Sequence, residues 1–141
     1  MDHSWKSRYL VRAAAAAFVA LAVSLALVGG AGPAGASPRS RMLRLTNGAR
    51  TSRGIAPLHL SRHLSRLAVQ NSRENSASGT LSHSGSGKAE NAGYGPSLRA
   101  IHKAFMSSGV HRGNILSGSF HRVGVGVASG GGSRWVTLIF V

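Results

Sequence analysis

Apolar and polar positions alternate in several distinct rhythms along the chain, and each rhythm predicts an element. From Ala13 to Val28 there is no charge and Ser24 is the only polar residue. After a polar lead-in at Ser37, Pro38 and Ser40, the positions Met42, Leu43, Leu45 and Ala49 recur at helical spacing, which predicts a helix over about 41–53 that stops at Gly54. Pro57 forces an extended connector. Ser61 is a natural N-cap for a second helix, with Leu64, Leu67, Ala68 and Asn71 on one face as far as about Ser78. From Gly79 to Gly95 the chain is rich in Gly, Ser and Asn, and it reads as loop with at most one short strand. Leu98, Ile101, Ala104 and Phe105 form the stripe of a third helix from about Pro96 to Met106, and His111 to Leu116 reads as a turn. Between Arg122 and Ser129, bulky Val123, Val125 and Val127 alternate with Gly124, Gly126 and Ala128, a strand whose bare face admits close approach of another segment. Gly130-Gly131-Gly132 supplies a hairpin turn and Trp135 to Val141 a final strand. Helices first and an antiparallel pair last predict a layered α+β domain.

The apolar stretch changes the domain count. Lys6, Arg8 and Arg12 precede it, Gly29 to Pro33 break it, and Ala34-Gly35-Ala36 follow with small side chains, which is the order of a secretory signal peptide cleaved after Ala36. The stretch is short of the roughly 20 apolar residues that span a bilayer, although left uncleaved it would act as an anchor. The expected organisation is therefore a signal peptide over 1–36, a linker over 37–40 and one domain over 41–141, outside the cytoplasm. No cysteine is present, so packing alone must hold that domain.

Charge narrows the partners. The chain has 17 Lys and Arg against 3 Asp and Glu, a formal net charge of +14, and beyond the leader the only acids are Glu74 and Glu90. Such a surface attracts polyanions without regard to sequence. Phe105, Phe120, Phe140, Tyr94 and Trp135 form no stacking platform in the sequence pattern, so nucleic acid is not expected. Lipids or anionic cell-envelope polymers are the expected partners of an exported protein, and a monomer is the expected state.

Four motifs occur in order: Ser82-His83-Ser84, Ala89-Glu90-Asn91, the run His111-Arg112-Gly113-Asn114-Ile115-Leu116, and Val123-Gly124-Val125-Gly126-Val127. With Asn47-x-x-Arg50 and Pro57-Leu58 before them, they resemble the CAP superfamily, also called the SCP domain, of cysteine-rich secretory proteins, antigen 5 and pathogenesis-related proteins, and its short bacterial branch in particular. The resemblance covers nearly all of residues 41–141. It implies a three-layer α-β-α sandwich with a small antiparallel sheet and a cleft lined by two His and up to two acids, onto which His83, Glu90 and His111 map. The second acid has no counterpart, Gly109-Val110 stands where Pro-Gly is usual, and Phe105 stands where Trp is common.

Two imidazoles, a carboxylate and water can form an open tetrahedral Zn²⁺ site, so His83, His111 and Glu90 are candidate metal ligands, and a divalent ion such as Zn is the one candidate cofactor. The competing reading is a hydrogen-bonded cluster that joins loop to sheet. Ser82 and Ser84 flank His83 but make no triad, since no Asp follows the leader to orient an imidazole. Asn91, Arg112 and Asn114 are expected to support the site by tying loop and turn. The residues thus favour a non-catalytic binding module for lipid or anionic envelope components, with a metal-assisted hydrolase or peptidase acting through the His/Glu cleft as the alternative.

Overall fold

The computed structural model describes residues 35–141; the proposed leader and its apolar stretch lie outside the described residues, apart from Gly35 and Ala36. Helix α1 runs Pro38–Thr51, strand β1 His59–Leu60, α2 Arg62–Ser78, β2 Ala89–Gly95, α3 Leu98–Ser107, α4 Gly109–Leu116, β3 Arg122–Gly130 and β4 Ser133–Phe140. The sheet order is β1-β3-β4-β2. Strands β2 and β3 both pair antiparallel with β4, and the two-residue β1 pairs parallel with β3. No helix among the described residues is long and apolar enough to cross a membrane.

Among the described residues, helix α2 lies alone on one face of the sheet. Its buried residues, Leu64, Ser65, Ala68, Asn71, Ser72 and Asn75, repeat at the helical period, and they settle on the bare side of β3. A Cβ built on Gly124 would overlap the backbone carbonyl of Leu64, and one on Gly126 would overlap that of Ala68. Glycine is therefore what brings helix and sheet backbones together. A polar layer completes the contact: the Asn71 amide and the Ser72 hydroxyl both reach Thr137 Oγ1 at 3.0 Å.

Helices α1, α3 and α4 cover the opposite face. There Met42, Ile101, Phe105 and Ile115 meet Val123, Val125, Val136, Leu138 and Phe140 in the main core. The expected three layers are thus present, with the sheet mixed rather than wholly antiparallel because of β1.

Local differences from the sequence reading have identifiable causes. Helix α1 begins at Pro38 with Ser37 as N-cap accepting from the Ser40 N–H, so most of the stretch read as linker is the first helical turn; Pro is at home there because its missing N–H has no intrahelical partner. Residues 111–116 form α4 and not a turn. The Gly-rich 89–95 segment is a full strand. Its small residues reflect α3 above it, since a Cβ on Gly93 would stand 2.8 Å from the Phe105 ring. The tight β3–β4 turn places Gly131 at φ +58° and Gly132 at φ +74°, the two left-handed residues of a primed hairpin turn.

Candidate functional site

Neighbouring strand residues point to opposite faces, and this splits the Glu90-Asn91 pair. Glu90 belongs to the α2 side and Asn91 to the side of α3 and α4. Each is the hub of its own network.

On the α2 side the loop after the helix is pinned first. Asn71 and Asn75 amides donate to the Ser82 carbonyl at 3.0 and 2.9 Å, and the Ser82 N–H returns a bond to Asn75 Oδ1 at 3.1 Å. This delivers His83 and Ser84 to Glu90. His83 Nδ1 lies 3.0 Å from Glu90 Oε1, so the tautomer there carries the proton on Nδ1. The Ser84 N–H donates to both carboxylate oxygens at 3.0 and 3.2 Å, and the Ser84 hydroxyl donates to Oε2. The Glu90 side chain is 4% exposed while that of His83 is 68% exposed: a buried carboxylate is satisfied by the loop it holds. The depression beside the pair, about 340 Å³, is bordered by Gly85, Ser86, Gly87 and Lys88 as well.

On the other side, Asn91 Nδ2 donates to the His111 carbonyl at 2.9 Å, and Asn114 Nδ2 donates to Asn91 Oδ1 at 2.9 Å. These side-chain bonds fasten α4 to β2, where the sequence reading has Asn91 and Asn114 tying a loop and a turn. Arg112 contributes only the ordinary first-turn helical bond from its N–H to the Ser108 carbonyl, at 2.8 Å, among the described residues, and its side chain is exposed. The His111 ring packs edge-on against Phe105 with centroids 5.1 Å apart. Burial, and secondarily charge on the nearby His83, pull its pKa below the ordinary imidazole value.

The structure therefore pairs His83 with Glu90 and sets His111 alongside, in a separate packing environment. A metal does not fit these residues well. Both Glu90 oxygens already accept hydrogen bonds, Lys88 lines the depression and His111 does not, and no three His, Cys, Asp or Glu among the described residues stand close enough to hold an ion. Nor does a hydroxyl–imidazole couple form, because Ser84 donates to the carboxylate and not to His83.

Arg50 is the residue whose part the sequence left unassigned. It is 1% exposed, and its guanidinium donates to the carbonyls of Ala56, Ile115, Ser117 and Phe120 at 2.8, 2.8, 2.8 and 3.1 Å. Two of these acceptors lie at the C-terminal end of α4, where unpaired carbonyls favour a cation. Asn47, one turn earlier, bonds both the N–H and the carbonyl of Leu58 at 2.8 and 3.0 Å. The Asn-x-x-Arg spacing is the signal: it puts both side chains on one face of α1, toward the connector that must be held.

The model for the cysteine-rich secretory protein family, the CAP family, matches residues 43–140, and the chain belongs to that family. Similar solved structures include an outer surface protein of Borrelia burgdorferi, at 13% identity and TM-score 0.64 over 73% of this chain and 91% of that one. Venom allergen-like protein 4 of Schistosoma mansoni is similar at 9% identity and TM-score 0.65, over 74% and 88%. An extracellular SCP-domain protein of Bacillus anthracis matches at 19% identity and TM-score 0.59 over 72% of this chain, which spans 40% of that protein. At such identities the likeness is one of fold. No curated protein sequence matches the chain.

Proposed function

We propose that the chain is an exported, non-catalytic CAP-family module that holds lipid or an anionic envelope component on its basic surface. One observation carries this reading. Arg50 is the single buried cation between residues 35 and 141, and every other Lys and Arg there is exposed. None of them is neutralised by a carboxylate among the described residues: the one ion pair is His83–Glu90, and Glu74 accepts instead from Gln70 at 2.9 Å. Uncompensated positive charge of this kind draws polyanions and gives them up to salt. The His83–Glu90–Ser84 cluster then serves as the latch that closes the loop onto the sheet.

The test is co-sedimentation of the chain with phosphatidylcholine vesicles, with and without phosphatidylglycerol, at low and high salt. Binding that requires the anionic lipid and weakens roughly tenfold or more at high salt is expected. No binding to anionic vesicles at low salt would remove the lipid-surface reading. One equivalent of bound zinc that disappears in His83→Ala would favour the metal-assisted hydrolase instead.

A further inference from the structure

The basic surface is not uniform. At the end of the sheet remote from Glu90, a groove of about 450 Å³ runs between the first turns of α1 and the start of α3, and Arg41, Arg44, Arg99 and Arg134 all line it. Three separate elements supply them. Arg41 and Arg44 are three residues apart on α1 and so share a face, Arg99 is in the first turn of α3, and Arg134 is on β4 opposite Gly95. Glu90 pairs with Ile139 in the same ladder, five residues from Gly95 along β2, so the two places lie about 17 Å apart along the strand.

Arg41, Arg44 and Arg99 side chains make no hydrogen bond or ion pair among the described residues. Arg134 reaches only the Ser129 hydroxyl, at 2.5 Å. Among the described residues no carboxylate lines the groove. Four guanidiniums around one concavity repel one another, and a bound anion relieves that cost. The starts of α1 and α3 add to the field, since each helix presents the positive end of its dipole there, roughly half a charge. Leu45 and Leu98 give the groove an apolar part, and its volume lies within the range of small-ligand sites, about 300–1,000 Å³.

We infer that this groove is a binding site for a phosphorylated group carrying two or more negative charges. Arginine forks match phosphate oxygens in pairs, and four of them exceed what a single carboxylate can satisfy. The inference rests on the anionic-ligand reading above and goes further by giving the ligand's chemistry and its place, away from the His83–Glu90 pair.

The experiment compares the full chain with Arg44→Gln/Arg99→Gln and with a charge-matched control, Arg62→Gln/Arg66→Gln on the exposed side of α2, by calorimetric titration with inorganic pyrophosphate and by sedimentation with cardiolipin vesicles, whose headgroup carries two phosphodiester charges. All four substituted side chains are exposed, so an unchanged melting temperature is expected and serves as the folding check. The inference predicts at least a tenfold loss of affinity in the groove variant and no more than about twofold in the control. If that pattern holds with pyrophosphate, the site takes free phosphates; if it holds only with vesicles, it takes lipid headgroups. Equal losses in the two variants would overturn the groove while leaving a diffuse basic surface as the binder. Absence of binding to either probe by the unaltered chain would overturn both.

Discussion

Replacing Arg50 by Met is expected to be among the most damaging single changes in the domain. The side chain is fully enclosed and bridges four carbonyls from the α1–β1 connector, the end of α4 and the loop into β3. Burying a guanidinium is itself costly, and burial pulls its pKa down from the usual arginine value, although arginine stays cationic in proteins. Where a buried ion pair is replaced whole, the removed desolvation cost can balance the loss. Here the partners are backbone carbonyls that cannot be removed with it. Hydrogen bonds to a charged group contribute about 1.5–3 kcal/mol each, and a stranded buried acceptor costs about 1–3 kcal/mol. Even if two of the four carbonyls find water, Arg50→Met should cost about 4 kcal/mol, a large part of the roughly 5–15 kcal/mol available to a domain of this size. Arg50→Lys keeps the charge but has no planar fork to reach four acceptors, so it should fall between the two. Urea denaturation followed by circular dichroism measures this directly. A midpoint for Arg50→Met within error of the unaltered chain would refute the view that this residue locks the connector to α4.

The close approach of α2 to β3 gives a second prediction: Gly126→Ala should cost about 3 kcal/mol, because its Cβ would overlap the Ala68 carbonyl. Gly113→Ala, on exposed α4 with nothing within 4 Å, should instead stabilise by up to about 1 kcal/mol, and thermal melts of the pair compare the two. Glu90→Gln removes the charged acceptor shared by His83 and Ser84 and should loosen residues 83–88, read as faster amide exchange at Ser84 with the core unchanged; unaltered exchange would contradict the latch. The pH dependence follows from His102 and His111, whose pKa values burial holds below that of a free imidazole. The unfolded chain then takes up protons first, so stability is complete above about pH 7 and declines as pH falls through the ordinary imidazole range near 6.5. The decline levels off once the folded imidazoles also protonate. Melting temperature recorded against pH should show this slope, and His102→Gln with His111→Gln should flatten it.

Much of the fold was legible because it rests on local pattern. The Val/Gly alternation of 123–127 announced a strand with a bare face open to close approach, and the α2 stripe announced a helix; that the two meet is seen only in the structure. The order of motifs implied the sandwich, and His83 and Glu90 do meet. What failed to show was set by tertiary contact. The strand at 89–95 lacks β-branched residues because Phe105 and Ile101 press on its glycines, so its composition mimicked a loop. Helix α4 is too short for its period to stand out and is fastened by Asn91 and Asn114, whose partners span two elements. Arg62, Arg66 and Arg73 share α2, and their spacing on one element is visible in the sequence. The groove arginines come from three elements spread over residues 41 to 134, so no local pattern joins them.

The central claim is that this CAP domain works by charge on its surface and uses its His83–Glu90 pair to hold structure. It is tested most directly by the affinity of His83→Ala for phosphatidylglycerol vesicles across a salt series. The account predicts the same affinity and the same steep salt dependence as the unaltered chain. A folded His83→Ala protein that no longer binds, with salt dependence lost, would contradict it.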